Sequence, residues 1–514
     1  MMLPLDMLVI HQKHADIPNH HVIGQEGDSN WTSWLTPRNV APSDSSSETN
    51  GQASSAFGLP GQTQRDRTLS RKRSTEPQKT TTFRNPWSSW HKPTNLQLWR
   101  ALEWGEDTDP CIALARSHLA RSSAECHDPE TLPKSTGEQA GQLLRLTKPD
   151  FTFNAADGRA KSTWLGHAGV LVQFPPLTEG GRTVRCLFDP IFSLRCSPSQ
   201  FIGPLRTYLA PCAAEDLPAI DVVMISHNHF DHLDLGTILS LWKHNASSIR
   251  FLVPLGNRKW FTESGIDPDR VTDLDWWDAV QLSTLGSSGK DTNSHNSGRS
   301  GPGDANATLW SSWYLEHKTA ESEPYRVFFA GDSGYQFHDS SAWPPPRPTS
   351  EVQRNQVASR VDDDSAEAKY PVCPAFADIA ARLGSPNLLM LPVAVGATYD
   401  YLRSMAPVPT SMNPIPRHSQ GVTAHNHMPS WDAVRVLRTM TKGAGDDSDP
   451  PIAIAMHWGT FMTDPVDVLK TLGQLEWACE AHVVRFARDL DSDSAGGHER
   501  ACFLALNHGQ SIVT

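Results

Sequence analysis

The chain of 514 residues is longer than one ordinary domain, yet only 38% of it is hydrophobic and its mean hydropathy is -0.43, so polar segments dilute a smaller globular core. A net charge of -12 argues against nucleic acid as a partner, which normally calls for a basic excess. Eight cysteines without a Cys-x-x-Cys pair argue against a disulfide framework or a cysteine-based zinc knuckle and suit a reducing compartment.

In chain order, Met1 to Ile10 is apolar but short, lacks a basic flank, and reads as neither a signal peptide nor an anchor. No run approaches the roughly 20 apolar residues that cross a bilayer. An intracellular location is expected, cytoplasmic or peripheral on an internal membrane. Ile17 to Thr82 is rich in Ser, Thr, Gln, Gly, Pro and Asn. Such a stretch buries too little apolar area to offset its ordering entropy, so 1–84 is expected to be a disordered tail. Residues 85–160 form an extension packed on the core, with tryptophans at 87, 90, 99 and 104 and helical spacing from Asn95 to Trp104.

The core domain is expected over 161–514. Strand-like runs occur at Val170–Phe174, Val184–Phe188, Asp221–Ser226, Arg250–Leu255, Thr308–Tyr314, Arg326–Ala330, Asn387–Val395 and Pro451–His457. Helical patterns fall between some of them, at Leu235–Lys243, Ala375–Leu383, Ser430–Met440 and Pro465–Ala478. The fold class is therefore α/β, a sandwich with sheets inside and helices outside. Polar stretches near 287–305 and 337–371 read as surface insertions.

The chemistry concentrates in Asp221-Val-Val-Met-Ile-Ser226 followed by His227-Asn-His-Phe-Asp-His232. The first half is a strand buried on both faces. His227 and His229, two apart in extended chain, project to one side and suit one metal ion. Asp231 and His232 lie in the following turn, displaced toward a second. Asp332, in Phe328-Phe-Ala-Gly-Asp-Ser-Gly334, and His457, after Ile452-Ala-Ile-Ala-Met456, also end apolar runs. A carboxylate such as Asp332 can bridge two cations. Spacing leaves His295, His317 and His338 as candidates for a third imidazole on the first metal. Each ligating ring needs a partner on its other nitrogen, for which Asp234 and backbone carbonyls are available. His167 reads as structural.

At these residues the chain resembles the N-acyl-phosphatidylethanolamine-hydrolysing phospholipase D family of the metallo-β-lactamase superfamily. The resemblance rests on Thr163-Trp-Leu-Gly-His-Ala168, Asp189-Pro-Ile-Phe192, Ser197-Pro-Ser-Gln200, Ile225-Ser-His-Asn-His-Phe-Asp-His-Leu-Asp234, Leu274-Asp-Trp-Trp277, Gly331-Asp-Ser-Gly-Tyr335 and Met456-His-Trp-Gly-Thr-Phe461. It implies the αββα sandwich of that superfamily, two mixed sheets flanked by helices. It also implies two Zn²⁺ ions: His227, His229 and His295 on one, Asp231, His232 and His457 on the other, with Asp332 bridging. The implied activity is hydrolysis of N-acyl-phosphatidylethanolamine to N-acylethanolamine and phosphatidic acid at a membrane surface. The chain departs from the family in Gln336–Val372, which intervenes before Cys373-Pro-Ala-Phe376, and in Phe230, where tyrosine is usual.

Two zinc ions about 3.5–4 Å apart would acidify a bridging water, and the resulting hydroxide would attack phosphorus. Asp231 and Asp332 are the expected catalytic carboxylates, with His427 as proton donor to the leaving alkoxide. Gln200, Phe201 and His427 are the expected substrate contacts. Imidazole with carboxylate suits zinc best and admits other divalent ions, including iron and manganese; a homodimer is left open. The competing readings are another hydrolase of the fold, acting on a lactone, thioester or cyclic nucleotide, and a catalytically silent lipid-binding protein.

Overall fold

Alternation along four strands builds the half-molecule that carries the His-rich loop. In β3 (Gly169–Phe174), Val170, Val172 and Phe174 face one buried cluster while Leu171 faces another. The same division separates Cys186 and Phe188 from Leu187 in β4 (Val184–Phe188). It also separates Val222 and Met224 from Val223 in β5 (Val222–Met224), and Leu252 from Phe251 and Val253 in β6 (Arg250–Pro254). A strand with both faces covered is largely apolar, which is why these segments read as near-continuous runs, interrupted by Gln173, Arg185 and Arg250.

The computed structural model describes residues 6–10, 21–22, 82–83, 85–87, 89–105, 107, 109–123, 135–154, 158–176, 181–283, 291–295, 308–318, 323–339, 343–345, 347, 370–394, 415–443, 449–462, 464–490 and 500–514. Flanking β3–β6 are β2 (Lys161–Gly166), β7 (Val271–Leu274) and, from the far end of the chain, β16 (Ser511–Val513), giving a seven-stranded sheet in the order β7-β6-β5-β4-β3-β2-β16. Pairing is parallel from β7 to β4 and antiparallel from β4 to β16.

The second sheet has nine strands. They are β1 (Asp6–Ile10), β8 (Ala279–Ser283), β9 (Asp291–His295), β10 (Ser311–His317), β11 (Tyr325–Phe329), β12 (Leu388–Pro392), β13 (Ile452–Met456), β14 (Arg485–Ala487) and β15 (Cys502–Leu504). Their order is β1-β8-β9-β10-β11-β12-β13-β15-β14, antiparallel up to β11 and parallel beyond. The sheets meet through side chains such as Phe188 and Phe329, stacked at 4.8 Å. Asp6–Ile10, within the stretch expected to be a tail, thus extends the sheet as an edge strand, consistent with its Met-Leu-Val-Ile run; Asp291–His295, within an expected insertion, is also a strand.

Helices cover the outer faces. On the first sheet, α4 (Leu235–Asn245) and α5 (Arg258–Glu263) bury Ile238, Leu241 and Phe261 against the outward residues of β3–β6. On the other side, α8 (Val466–His482) packs against α2 (Cys111–Ser123), α3 (Thr136–Leu143) and α7 (Ser430–Thr441), with α6 (Ala375–Leu383) beside α7. The extension's helix, α1 (Asn95–Arg100), is shorter than its spacing suggests: after Arg100 the chain turns, and Leu102–Glu103 pairs with Arg417–His418. The architecture is an α/β sandwich of two mixed sheets flanked by helices, the metallo-β-lactamase arrangement. Among the described residues no helix is long and apolar enough to cross a membrane.

Candidate metal centre

Strand ends on one edge of the sandwich deliver the polar residues. Strand β4 runs into Asp189, β5 into Ser226-His227, β11 into Gly331-Asp332, and β13 into His457, while the β2–β3 turn carries His167. His167, Asp189 and His457 have φ values of 51°, 36° and 60°. That left-handed conformation is unfavourable for such residues and gathers where a site over-determines the backbone. Gly331, at φ 61°, is required for a second reason: a Cβ there would sit 2.7 Å from Ser226 Cβ.

Two carboxylate oxygens form the focus. Asp231 Oδ2 lies 2.9 Å from His167 Nε2, 3.3 Å from His457 Nε2 and 3.6 Å from His232 Nε2. Asp332 Oδ1 lies 3.1 Å from His232 Nε2, 3.2 Å from His457 Nε2 and 3.6 Å from His427 Nε2. The other oxygen of Asp332 faces His227 Nε2 at 3.8 Å. Asp332 thus stands between the His227–His229 pair, whose rings are 4.6 Å apart, and the group of Asp231, His232 and His457. Four overlapping sets of His and Asp residues bring their ligand atoms within 4.8 Å of one another.

Whether this donor set fits a cation is answered by its orphaned atoms. His227 Nε2, His232 Nε2 and Asp332 Oδ1 are buried yet make no hydrogen bond of acceptable geometry. Buried polar atoms without partners cost about 1–3 kcal/mol each, and imidazole nitrogens with carboxylate oxygens are the donors that divalent transition metals take. The residues suit one or two divalent cations.

The far nitrogens of three rings are held. Ser226 Oγ is 2.8 Å from His227 Nδ1, Asp189 Oδ2 is 2.7 Å from His232 Nδ1, and His427 Nε2 is 3.0 Å from His457 Nδ1. Asp189 also accepts from the Ser226 backbone N–H at 2.7 Å and from its hydroxyl. Asp234, the carboxylate named from sequence for orienting a ring, caps α4 instead, accepting from Ser193 and Thr237. Its place at the first turn of a helix decides this, since the free N–H groups there claim an acidic side chain. Asp189, which the sequence marks only as part of a family motif, takes the ring-orienting role; its position after a buried strand, like those of Asp332 and His457, is the signal for it.

Opposed charges are concentrated out of water. Burial raises the Asp231 and Asp332 carboxyls, but the surrounding imidazoles outweigh it and hold both well below the usual range. Burial lowers His457 and His232, yet the two carboxylates win: His457 is raised to about 9 and His232 well above its ordinary value. Burial prevails at His227, which is held well below its ordinary value, at His167, lowered to about 3, and at His427, lowered to about 4.

Of the residues singled out from sequence, the structure brings together His227, His229, Asp231, His232, Asp332, His427 and His457. The backbone of His295 ends β9, paired with Ser311; its side chain lies outside the described residues. The other two candidates are engaged elsewhere, His317 stacked on Phe174 at 5.0 Å and His338 on Trp343 at 3.8 Å. Gln200 closes its own loop, accepting from the Arg195 N–H at 3.1 Å and donating to the Arg195 carbonyl at 3.0 Å, while Phe201 is 92% exposed. The N-terminal extension supplies one wall of the site, where Asn85, Trp87 and Trp90 share a cavity of about 20 Å³ with Asp332 and His425.

A family model described as Beta-lactamase superfamily domain matches residues 184–343. The chain is 33% identical to an uncharacterized protein of Mycobacterium tuberculosis over 206 residues, 40% of this chain and 50% of that one. It is 35% identical to N-acyl-phosphatidylethanolamine-hydrolyzing phospholipase D 1 of Caenorhabditis elegans, covering 38% and 53% of the two chains. To the mitochondrial N-acyl-phosphatidylethanolamine-hydrolyzing phospholipase D of Saccharomyces cerevisiae it is 30% identical, covering 48% and 44%. The chain therefore spans about half the length of the curated relatives it matches. It is a metallo-β-lactamase-fold protein related distantly to the N-acyl-phosphatidylethanolamine-hydrolysing phospholipases D and to uncharacterized proteins of the same fold.

Proposed function

We propose that the protein is a zinc-dependent phosphodiesterase that hydrolyses N-acyl-phosphatidylethanolamine to N-acylethanolamine and phosphatidic acid at a membrane surface. The observation that carries the hydrolytic part is the convergence of Asp231, His232, Asp332 and His457 on two carboxylate oxygens. The lipid part is supported by the shared motifs and by the activity named in the worm and yeast relatives.

In this reading His227, His229 and His295 would hold one cation and Asp231, His232 and His457 the other, with Asp332 available to both. When bound, the pair supplies Lewis-acid stabilisation of phosphoryl oxygens and lowers the pKa of water from about 15.7 to about 7. Asp231 orients the attacking water. His457 turns Nε2 toward the carboxylates, so its proton resides on Nδ1 and is donated to His427 Nε2 at 3.0 Å. His427 then keeps its own proton on Nδ1, a buried nitrogen without a partner, and serves as a hydrogen-bond donor to the departing alkoxide oxygen, which takes up the proton that the attacking water loses. Acyl chains need apolar surface, and Phe230, inside the ligand loop, is 46% exposed. Gln200 shapes the loop that presents Phe201.

The test is purified protein incubated with N-acyl-phosphatidylethanolamine in mixed micelles, beside a lactone and a bis-aryl phosphodiester, with products read by lipid mass spectrometry. Wild type is expected to release both lipid products and Asp332→Asn neither. Turnover of the lactone alone would move the protein to another branch of the fold, and lipid binding without turnover would make it catalytically silent.

A further inference from the structure

We propose that His167 is a positioning residue of the second cation site, holding Asp231 in its ligating orientation; this rests on the metal-centre reading above. Its ring is buried with the ligands, 4.0 Å from the His457 ring and 5.5 Å from that of His232. His167 Nε2 lies 2.9 Å from Asp231 Oδ2, the same oxygen that faces His457 and His232. An imidazole donating to that oxygen fixes the carboxylate's rotation and leaves the other imidazoles on the side where a cation would sit.

The backbone shows that this placement is built in. The His167 N–H donates to Thr460 Oγ1 at 2.8 Å, and its carbonyl accepts from the His457 N–H and from Trp164 Nε1, both at 2.8 Å. The β2–β3 turn is therefore tied to the segment that delivers His457, and both residues hold positive φ, 51° and 60°. One residue thus fixes a ligand carboxylate with its ring and a ligand imidazole's backbone with its carbonyl. Phe461 closes the other side of the ring, edge-on at 5.1 Å. Groups that orient metal ligands in this way commonly contribute about 10–100-fold in metal affinity.

Two substitutions separate the ring's role from the backbone's. Asparagine tolerates positive φ but is too short to reach Asp231, so His167→Asn removes the hydrogen bond and keeps the turn. Glutamine extends its amide to about the position of Nε2, so His167→Gln restores a donor. Metal-free full-length protein is titrated with Co²⁺, following its visible ligand-field spectrum and the stoichiometry. Wild type is expected to take up two ions. His167→Asn should bind the first normally and the second about 10–100-fold more weakly, with an altered second-ion spectrum, and His167→Gln should recover most of the loss. Circular dichroism and thermal unfolding verify that each variant is folded. Wild-type binding of both ions by a folded His167→Asn would overturn the role of His167 and leave the metal centre standing. Absence of Co²⁺ binding by wild type would overturn both. If His167→Asn fails to fold, the comparison passes to His167→Gly, which also tolerates positive φ and carries no donor: wild-type second-ion affinity in the folded glycine variant would refute the role of His167.

Discussion

Replacing Asp189 with asparagine should weaken the second cation without unfolding the protein. The side chain is fully buried and joins the ends of β4 and β5, accepting from the Ser226 N–H and hydroxyl and from His232 Nδ1 at 2.7 Å. Asparagine preserves the volume, tolerates φ 36° and keeps one oxygen for the Ser226 N–H. Its amide nitrogen, however, would face His232 Nδ1 and donate to it, driving the imidazole proton onto Nε2. That is the nitrogen aimed at Asp332, and a protonated Nε2 cannot ligate. A hydrogen bond to a charged group contributes about 1.5–3 kcal/mol, so the second dissociation constant should rise about 10- to 150-fold. Competition against a chromophoric chelator measures this, with circular dichroism verifying the fold. A folded Asp189→Asn protein that binds both ions within about twofold of wild type would refute the reasoning.

Metal affinity should rise with pH up to about 9, because a cation must displace the proton that His457 carries below that value; pH-independent affinity across neutrality would contradict it. For the metal-free protein, His457 has a folded pKa above its ordinary 6.5. Its contribution to stability is full below about 6.5 and lost as pH rises through about 9. His167 and His427 act in the opposite sense, since their folded pKa values are depressed to about 3 and 4: folded protein keeps them neutral while unfolded chain protonates, so stability falls as pH drops below 6.5. Thermal unfolding of metal-free protein should accordingly show a maximum between these arms, and added cation should remove the alkaline one. Phe188→Ala, cutting the stack on Phe329 between the sheets, should cost about 3–5 kcal/mol in denaturant unfolding. Gly334→Ala should impair turnover more than stability, because its Cβ would fall on the His425 backbone, two residues before His427; unchanged kcat would show that this loop does not position the donor.

The parts of this architecture that follow from local pattern were legible in the sequence. Strands buried on both faces, such as Val222–Met224 and, Arg185 apart, Val184–Phe188, announce themselves as apolar runs, and Ala375–Leu383 coincides with its helical pattern. Less legible were β2, β15 and β16, whose pairing partners lie far along the chain; β16 joins β2 across the full length of the core. Lys161–Gly166 carries Lys, Ser and Thr that are nonetheless buried, and no window of sequence shows what covers them. The same limit divides the site. Residues with unusual local density, His227 to His232, are visible at once, and Asp332 and His457 show by their position after strands. The contacts of Asp189 and His167 arise only when strand ends meet. Asp234 misled because a carboxylate beside a ligand loop suits a helix cap as well as a ring.

Anomalous diffraction from crystals of the zinc-loaded protein, recorded on both sides of the zinc absorption edge, examines the metal centre most directly. Two peaks about 3.5–4 Å apart are expected, one against His227, His229 and Asp332 and the other against Asp231, His232, His457 and Asp332. A single peak away from Asp332, or none in a folded protein exposed to excess zinc, would contradict the account.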